Sequence, residues 1–327
     1  MRAVRIHEPG DAGVLRTEQV ARPEPGAGQV RVRITAAGVN FIDTYHRRGE
    51  YPLDLPTTLG VEGAGVVDAV GPGVDDVHEG DRVAYAMALG SYADAAVVDA
   101  WRLVPVPEDV DLRLAAAVLL QGMTAHYLSH STFALGADHT AVVLAAAGGV
   151  GHLLTQIAKL RGARVIATAS TAKLDLAREA GADDVIDYTR DGFSDDVRHL
   201  TDGRGADVVY DGVGRTTFDD SLDSLRPRGY LVLYGAAAGP VPPLDPQVLN
   251  RKGSLFLTRP SLAHYAADRR ELRRRAQQLF RWIRDGDLVV RVDRTWPLDQ
   301  AAEAHRHLEG RRTTGKVLLV PSPHDDR

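Results

Sequence analysis

The 327-residue chain has no cysteine. That excludes disulfide bridges, a thiol nucleophile and any thiolate zinc site. No apolar run is long enough to cross a bilayer. The first residues, Met1 to Ile6, alternate like a strand and lack the apolar core of a signal peptide. Neither sign of charge dominates. The 39 Lys and Arg stand against 44 Asp and Glu, so there is no global pull toward nucleic acid or a membrane surface. No internal repeat or low-complexity linker interrupts the chain. A cytoplasmic protein with two domains and a large core is the expectation.

The most informative stretch runs from Ala141 to Gly151. An apolar run suited to a buried parallel strand breaks into Gly148-Gly149-Val150-Gly151. Beyond it, Val150, Leu153, Leu154, Ile157 and Ala158 recur at helical spacing. Strand, glycine turn and helix form a diphosphate site: bare glycines admit the phosphates, and the helix N-terminus meets their charge. The spacing Ala145-x-x-Gly148-x-x-Gly151 is a variant of the dinucleotide fingerprint, and a second strand from Ala163 to Ala169 completes a βαβ unit.

The end of that second strand also lacks something. An NAD site carries Asp or Glu there, about 20 residues past the glycines. Here Ala169-Ser170-Thr171-Ala172-Lys173 holds no acid, and the first to follow is Asp175, inside the next helix. Two hydroxyls and an ammonium suit a 2′-phosphate. Taken singly, Ser170 reads equally as a helix cap and Lys173 as a solvated charge. With the missing acid, they favour NADPH.

Residues 1 to about 116 read as mostly β. Short segments (30–36, 65–70, 82–85 and 92–98) alternate with Gly, Pro and Asp turns, as in a barrel-like domain. Helical spacing begins near Leu112. Strand candidates at 141–146, 163–169, 184–187, 206–211, 229–235 and 253–257 then alternate with helices, giving a doubly wound parallel sheet. A basic helix is expected over 268–285. Its arginines (Arg269, Arg270, Arg273, Arg274, Arg275) alternate with Leu272, Ala276, Leu279, Phe280 and Ile283, which reads as a solvated face opposite a buried one and makes nucleic acid a disfavoured partner. The chain ends in a strand over 316–320 and a polar tail expected to be disordered.

This order, together with Asn40-Phe41-Ile42-Asp43-Thr44-Tyr45, Gly60-Val61-Glu62-Gly63-Ala64-Gly65, Gly80-Asp81-Arg82-Val83 and Ala145 to Gly151, resembles the medium-chain dehydrogenase/reductase superfamily. The pattern closely resembles the zinc-independent, NADPH-dependent quinone oxidoreductases of the zeta-crystallin-like branch. The resemblance spans Val4 to Val320. It implies an α/β fold in which a doubly wound Rossmann domain (123–260) joins a β-rich, GroES-like barrel catalytic domain (1–122, with 261–327 returning to it). Zinc-dependent alcohol dehydrogenases have Cys where Asn40 stands and His where Val61 stands. His126 and His130, four residues apart, cannot replace a set of about four ligands. No metal is expected.

The same resemblance implies the site. Gly148, Gly149, Val150 and Gly151 contact the diphosphate. Ser170, Lys173 and Tyr188 surround the 2′-phosphate. Gly212 and Val213 lie near the adenosine ribose, and Tyr234 and Gly235 near the nicotinamide ribose. Asn40, Phe41, Tyr45, Thr124 and Tyr127 line the nicotinamide end, and Arg311 lies near the cofactor. Without a Lewis acid, an acceptor that is already electrophilic is required, such as a quinone or an enone. Tyr45 and Asn40 are the candidates to hydrogen-bond the developing oxyanion. Equally, Tyr45 could be a packed wall residue and Asn40 a loop-ordering one. The expected function is zinc-independent hydride transfer from NADPH to a quinone. An alkenal or enone reductase is the alternative within enzymes, and an NADPH-binding sensor or structural protein the alternative outside them. The last strand, at 252–257, would leave an open sheet edge, through which a homodimer is expected.

Overall fold

The computed structural model describes residues 1–189 and 192–321. Most of the polar tail, residues 322–327, therefore lies outside the described residues. The chain forms two compact units. One comprises Met1–Leu120, Ala266–Gly286 and the residues from Val290 onward. The other comprises Gln121–Tyr265 and Asp287–Val289.

The second unit holds a six-stranded parallel sheet. Its strands are Thr140–Val143, Arg164–Ala169, Asp184–Asp187, Ala206–Asp211, Leu225–Leu233 and Phe256–Thr258. In space they run third, second, first, fourth, fifth, sixth, the order of a doubly wound dinucleotide fold. Its two central strands are buried along their length, which accounts for the apolar runs Ala141–Val143 and Val208–Tyr210 within them; Thr140, Asp207 and Asp211 are buried polar residues nearer the strand ends. Two expected boundaries move. The first strand stops at Val143 although the apolar run continues, because Ala145 turns into the left-handed region at φ 51°. The last begins only at Phe256, because Gly253 and Ser254 both take positive φ.

The first unit is β-rich. Strand Gln29–Val39 pairs along one side with Glu62–Val70. On its other side it pairs first with Ala95–Asp99 and then with the C-terminal strand Lys316–Val320. Val30, Val32 and Ile34 point into a core shared with Val67, Val83, Tyr85, Tyr92, Leu103 and Leu319, while Arg33 points out.

Helix Arg269–Asp285 belongs to this unit. Its N-cap is Asp268, whose side chain accepts from the Glu271 N–H at 2.9 Å. Leu272, Ala276, Leu279 and Phe280 are buried, as their spacing requires. Its arginines depart from a uniformly solvated face. Arg275 is 0% exposed and donates to Glu271 one turn back at 2.5 Å. Arg269 and Arg273 both reach Asp76, at 2.5 and 3.5 Å.

Candidate functional site

In the parallel-sheet unit, the expected cofactor residues gather at the C-terminal edge of the strands, where doubly wound sheets bind ligands. The chain leaves Val143 through a tight turn, in which the Gly148 N–H donates to the Ala145 carbonyl at 2.8 Å. Gly148 then caps helix Gly149–Leu160. Gly151 is a steric necessity. A Cβ there would lie 2.4 Å from the Ala145 carbonyl oxygen and 2.9 Å from Ala146 Cα. At Gly149 the atoms nearest to a Cβ would be those of the Gln121 side-chain amide, 2.1 Å away at its Oε1. The result is a backbone cradle at the N-terminus of a 12-residue helix, the arrangement that accepts a diphosphate.

Strand Arg164–Ala169 ends at Ser170, which opens a single turn, Thr171–Lys173, closed by the Lys173 N–H on the Ser170 carbonyl at 2.8 Å. Ser170 stands at the N-cap position of that turn, and its side chain makes no capping bond. Tyr188 lies beside it, its N–H donating to the Ala169 carbonyl at 3.2 Å. Ser170, Lys173 and Tyr188 are all half-buried.

Farther along this edge, Asp211 organises Gly212 and Val213. Its buried carboxylate accepts from the N–H groups of Val213 and Gly214 at 2.7 and 2.9 Å, and from the hydroxyls of Thr217 and Ser221 at 2.9 and 3.0 Å. Burial raises its pKa against those bonds, which lower it. The Tyr234–Gly235 turn packs against it. A Cβ on Gly235 would lie 2.5 Å from the Gly212 carbonyl, and one on Gly212 would lie 2.7 Å from the Tyr234 ring. Thr124 and Tyr127 sit on helix Leu112–Tyr127, where the Tyr127 ring stacks on Tyr265 at 4.3 Å. His126 and His130 stack at 4.1 Å, at the point where this helix passes into a π turn.

In the β-rich unit, Asn40 caps helix Phe41–Arg48, which carries Phe41 and Tyr45. The half-buried Tyr45 ring packs on Phe41 at 6.5 Å and edge-on to Tyr51 at 5.8 Å. Asn40 itself is 4% exposed. Its Nδ2 donates to Glu62 at 2.9 Å and to the Gly38 carbonyl at 3.2 Å, while its Oδ1 accepts from Lys316 Nζ at 2.7 Å. Both amide hydrogens are thus engaged within the protein. Lys316 also bonds Glu62 at 2.5 Å, and Glu62 accepts the Leu120 N–H at 2.7 Å. Gly38 makes room for the pair, since a Cβ there would lie 2.3 Å from Glu62 Oε2. Glu62 stands in the 60–65 motif and Lys316 opens the last strand, yet nothing local in the sequence pairs residues 254 positions apart. Arg311 also belongs to this unit; it is exposed, in a left-handed turn after helix Ala301–Glu309.

From Asn40 a buried chain leads across the unit. The Asn40 N–H donates to Asp43 Oδ2 at 2.8 Å, and the Tyr92 hydroxyl donates to the same atom at 2.9 Å. His305 Nε2 lies 3.1 Å from that hydroxyl, and its Nδ1 lies 3.0 Å from Arg47. Arg47 in turn pairs with Glu309 at 2.7 Å. Arg47 only donates, so Nδ1 accepts and the proton sits on Nε2: the ring is neutral. Burial, then the Arg47 and Arg48 charges, hold its pKa down at about 3, while burial pushes Asp43 up to about 7. For His305 the folded-state value lies below the unfolded one. Its contribution is therefore complete above about pH 6.5 and is lost as pH falls toward about 3. Gln can mimic both bonds without titrating. The stability gap between wild type and His305→Gln should narrow by a few kcal/mol between pH 7 and 3.5, as read from urea melts at each pH. A constant gap would contradict the buried neutral ring.

Two family models match the chain: an alcohol dehydrogenase GroES-like domain over residues 26–108, and a zinc-binding dehydrogenase over residues 180–319. A quinone oxidoreductase of Pseudomonas aeruginosa is 45% identical over 315 residues, covering 95% of this chain and 97% of the relative. A 2-haloacrylate reductase from a Burkholderia species is 43% identical, covering 98% of each. A mycobacterial protein solved in complex with NADPH is 48% identical and superposes with a TM-score of 0.96, over 98% of this chain and 100% of that one.

The second model's description implies zinc, but the residues here do not fit it. Asn40 and Val61 take the expected ligand places, and the Lys316 ammonium already occupies the Asn40 oxygen. Among the described residues, no group of three or more His, Cys, Asp or Glu could hold a metal. With its full-length relatives and its two-unit architecture, the chain belongs to the quinone oxidoreductase family of the medium-chain dehydrogenases/reductases.

Proposed function

We propose that the chain is an NADPH-dependent quinone oxidoreductase that works without zinc. The observation that carries this is the cradle at Ala145–Gly151, where backbone occupies the space a side chain would need. Gly148, Gly149, Val150 and Gly151 hold the diphosphate there. Ser170, Lys173 and Tyr188 receive the 2′-phosphate. Gly212 and Val213 border one ribose, and Tyr234 and Gly235 the other. In the parallel-sheet unit Thr124 and Tyr127 line the nicotinamide end; in the β-rich unit Phe41 and Arg311 are the residues assigned to cofactor binding. When bound, NADPH supplies the hydride.

Tyr45 is the proposed hydrogen-bond donor to the acceptor oxygen as negative charge builds on it. Asn40 takes the other role open to it. With both amide hydrogens engaged, it fixes the start of the helix that presents Tyr45. NADPH consumption with a panel of quinones and enones tests the reading. Turnover should be fastest with quinones, and Tyr45→Phe should lower kcat about ten- to a hundredfold at nearly constant NADPH affinity. Undiminished kcat would make Tyr45 a wall residue. The similarity to a 2-haloacrylate reductase favours an activated alkene as the second acceptor class, and the same panel separates the two.

We also propose a homodimer joined through the edge strand Phe256–Thr258, where Phe256 is 50% exposed. Sedimentation at micromolar concentration should give twice the chain mass; a monomer would refute the proposal. No helix among the described residues is long and apolar enough to cross a membrane. The use of NADPH favours a cytoplasmic setting, where that cofactor is regenerated.

A further inference from the structure

Strand Arg164–Ala169 ends without an acid in sequence, yet the fold brings one to its tip. Asp187 closes the neighbouring strand and lies opposite Ala169 in the parallel register. Its carboxylate accepts from the Thr171 hydroxyl at 2.5 Å, from the Thr189 N–H at 3.0 Å and from the Thr189 hydroxyl at 2.6 Å. These bonds tie the carboxylate of Asp187 to the turn that begins at Ser170. Thr171 follows Ser170 directly and shares one turn with Lys173, while Tyr188 is the next residue after Asp187. The negative charge is therefore built into the loop that the proposed function assigns to the 2′-phosphate.

We propose that Asp187 is a cofactor-specificity residue that narrows the preference for NADPH over NADH. The inference rests on reading the Ser170–Lys173–Tyr188 loop as the 2′-phosphate site. The carboxylate has two effects there. By holding Thr171 it orders the turn, which serves either cofactor. By its charge it repels a 2′-phosphate and suits a free ribose hydroxyl, the task an acid performs in NAD-binding folds. Asp187 is half-buried, so water and salt screen the repulsion, and its effect is several-fold instead of absolute. The chain should accordingly use both cofactors at measurable rates.

The test is the NADPH/NADH ratio of kcat/KM, with one quinone acceptor, for the full chain, Asp187→Asn and Lys173→Ala at low and at high salt. Asparagine keeps the shape and removes the charge: its oxygen can keep the two Thr189 bonds that Asp187 Oδ1 accepts, while its NH2 faces the Thr171 hydroxyl as a donor. Asp187→Asn should raise the ratio about three- to tenfold through the KM for NADPH, and the gain should shrink at high salt. A purely structural role would move both cofactors together and leave the ratio insensitive to salt. Lys173→Ala separates the two ways of failing. If it leaves the ratio unchanged, the phosphate-site reading fails and the inference falls with it. If it lowers the ratio while Asp187→Asn leaves it unchanged or lowers it, the site stands and the inference about Asp187 is wrong. A melting curve of Asp187→Asn checks that the variant is folded; an unfolded variant is replaced by Asp187→Ser, under the same criteria.

Discussion

Gly151→Ala should weaken NADPH binding by at least about a hundredfold, whereas Gly149→Ala should weaken it by less than about tenfold. Both replace one glycine of the same turn with the same side chain. They differ in what the new methyl meets. At Gly151 it meets backbone: the Ala145 carbonyl at 2.4 Å, with Ala146 Cα at 2.9 Å. Relief requires the turn to move away from the helix, and the turn is the cradle. At Gly149 the obstacle is the Gln121 side-chain amide, which can rotate away. Gly151→Ala should also lower the melting midpoint by a few degrees, because crowding a packed contact costs about 1–3 kcal/mol. Titration calorimetry with NADPH, alongside thermal melts, measures both effects. Equal losses at the two positions would mean that the phosphates do not sit against this turn.

Lys173→Ala should lower kcat/KM for NADPH about ten- to a hundredfold while the NADH value stays within a few-fold. A charge-assisted contact with a 2′-phosphate is worth roughly 1.5–3 kcal/mol, and NADH has no such group to lose. The loss should fall chiefly on KM, since the 2′-phosphate is far from the reacting atoms and is bound equally in ground and transition states. Lys173 is well placed to act this way. It closes the turn that begins at Ser170 by donating its N–H to the Ser170 carbonyl, and Tyr188 flanks the same strand end. Ser170→Asp should push the preference further toward NADH by adding repulsion where the Ser170 hydroxyl is not engaged in capping. Steady-state kinetics with both cofactors decide the matter. A wild-type preference for NADH, or an equal loss with both cofactors in Lys173→Ala, would remove this loop as the phosphate site.

What the sequence determined by itself was whatever depends on neighbours along the chain. The parallel sheet is legible because the middles of its central strands are buried on both faces and are apolar, as Ala141–Val143 and Val208–Tyr210 are. The glycine cradle is legible because a tight strand-to-helix turn needs glycine at fixed spacing. Even the misplaced end of the first strand has a local cause. Leu144, Ala146 and Ala147 are as buried as the strand itself, so hydrophobicity could not mark where extended backbone gives way to a turn.

Only the tertiary structure decided which distant polar groups meet. Asn40 reads from sequence as either an oxyanion donor or a loop-ordering residue. Glu62 and Lys316 take up its amide from 22 and 276 residues away, the contacts on which the proposed ordering role rests. Arg275 sits among solvated arginines in the sequence, but its turn of helix faces inward. His305 meets Arg47 across 258 residues. The absence of an acid after Ala169 holds along the chain and fails in space, because the parallel register places Asp187 beside that strand end. Hydrophobic burial repeats with the period of a helix or strand and can be read locally. A buried charge needs one particular partner, and the partner's place is set by the pairing of strands and the packing of helices, which no local period encodes.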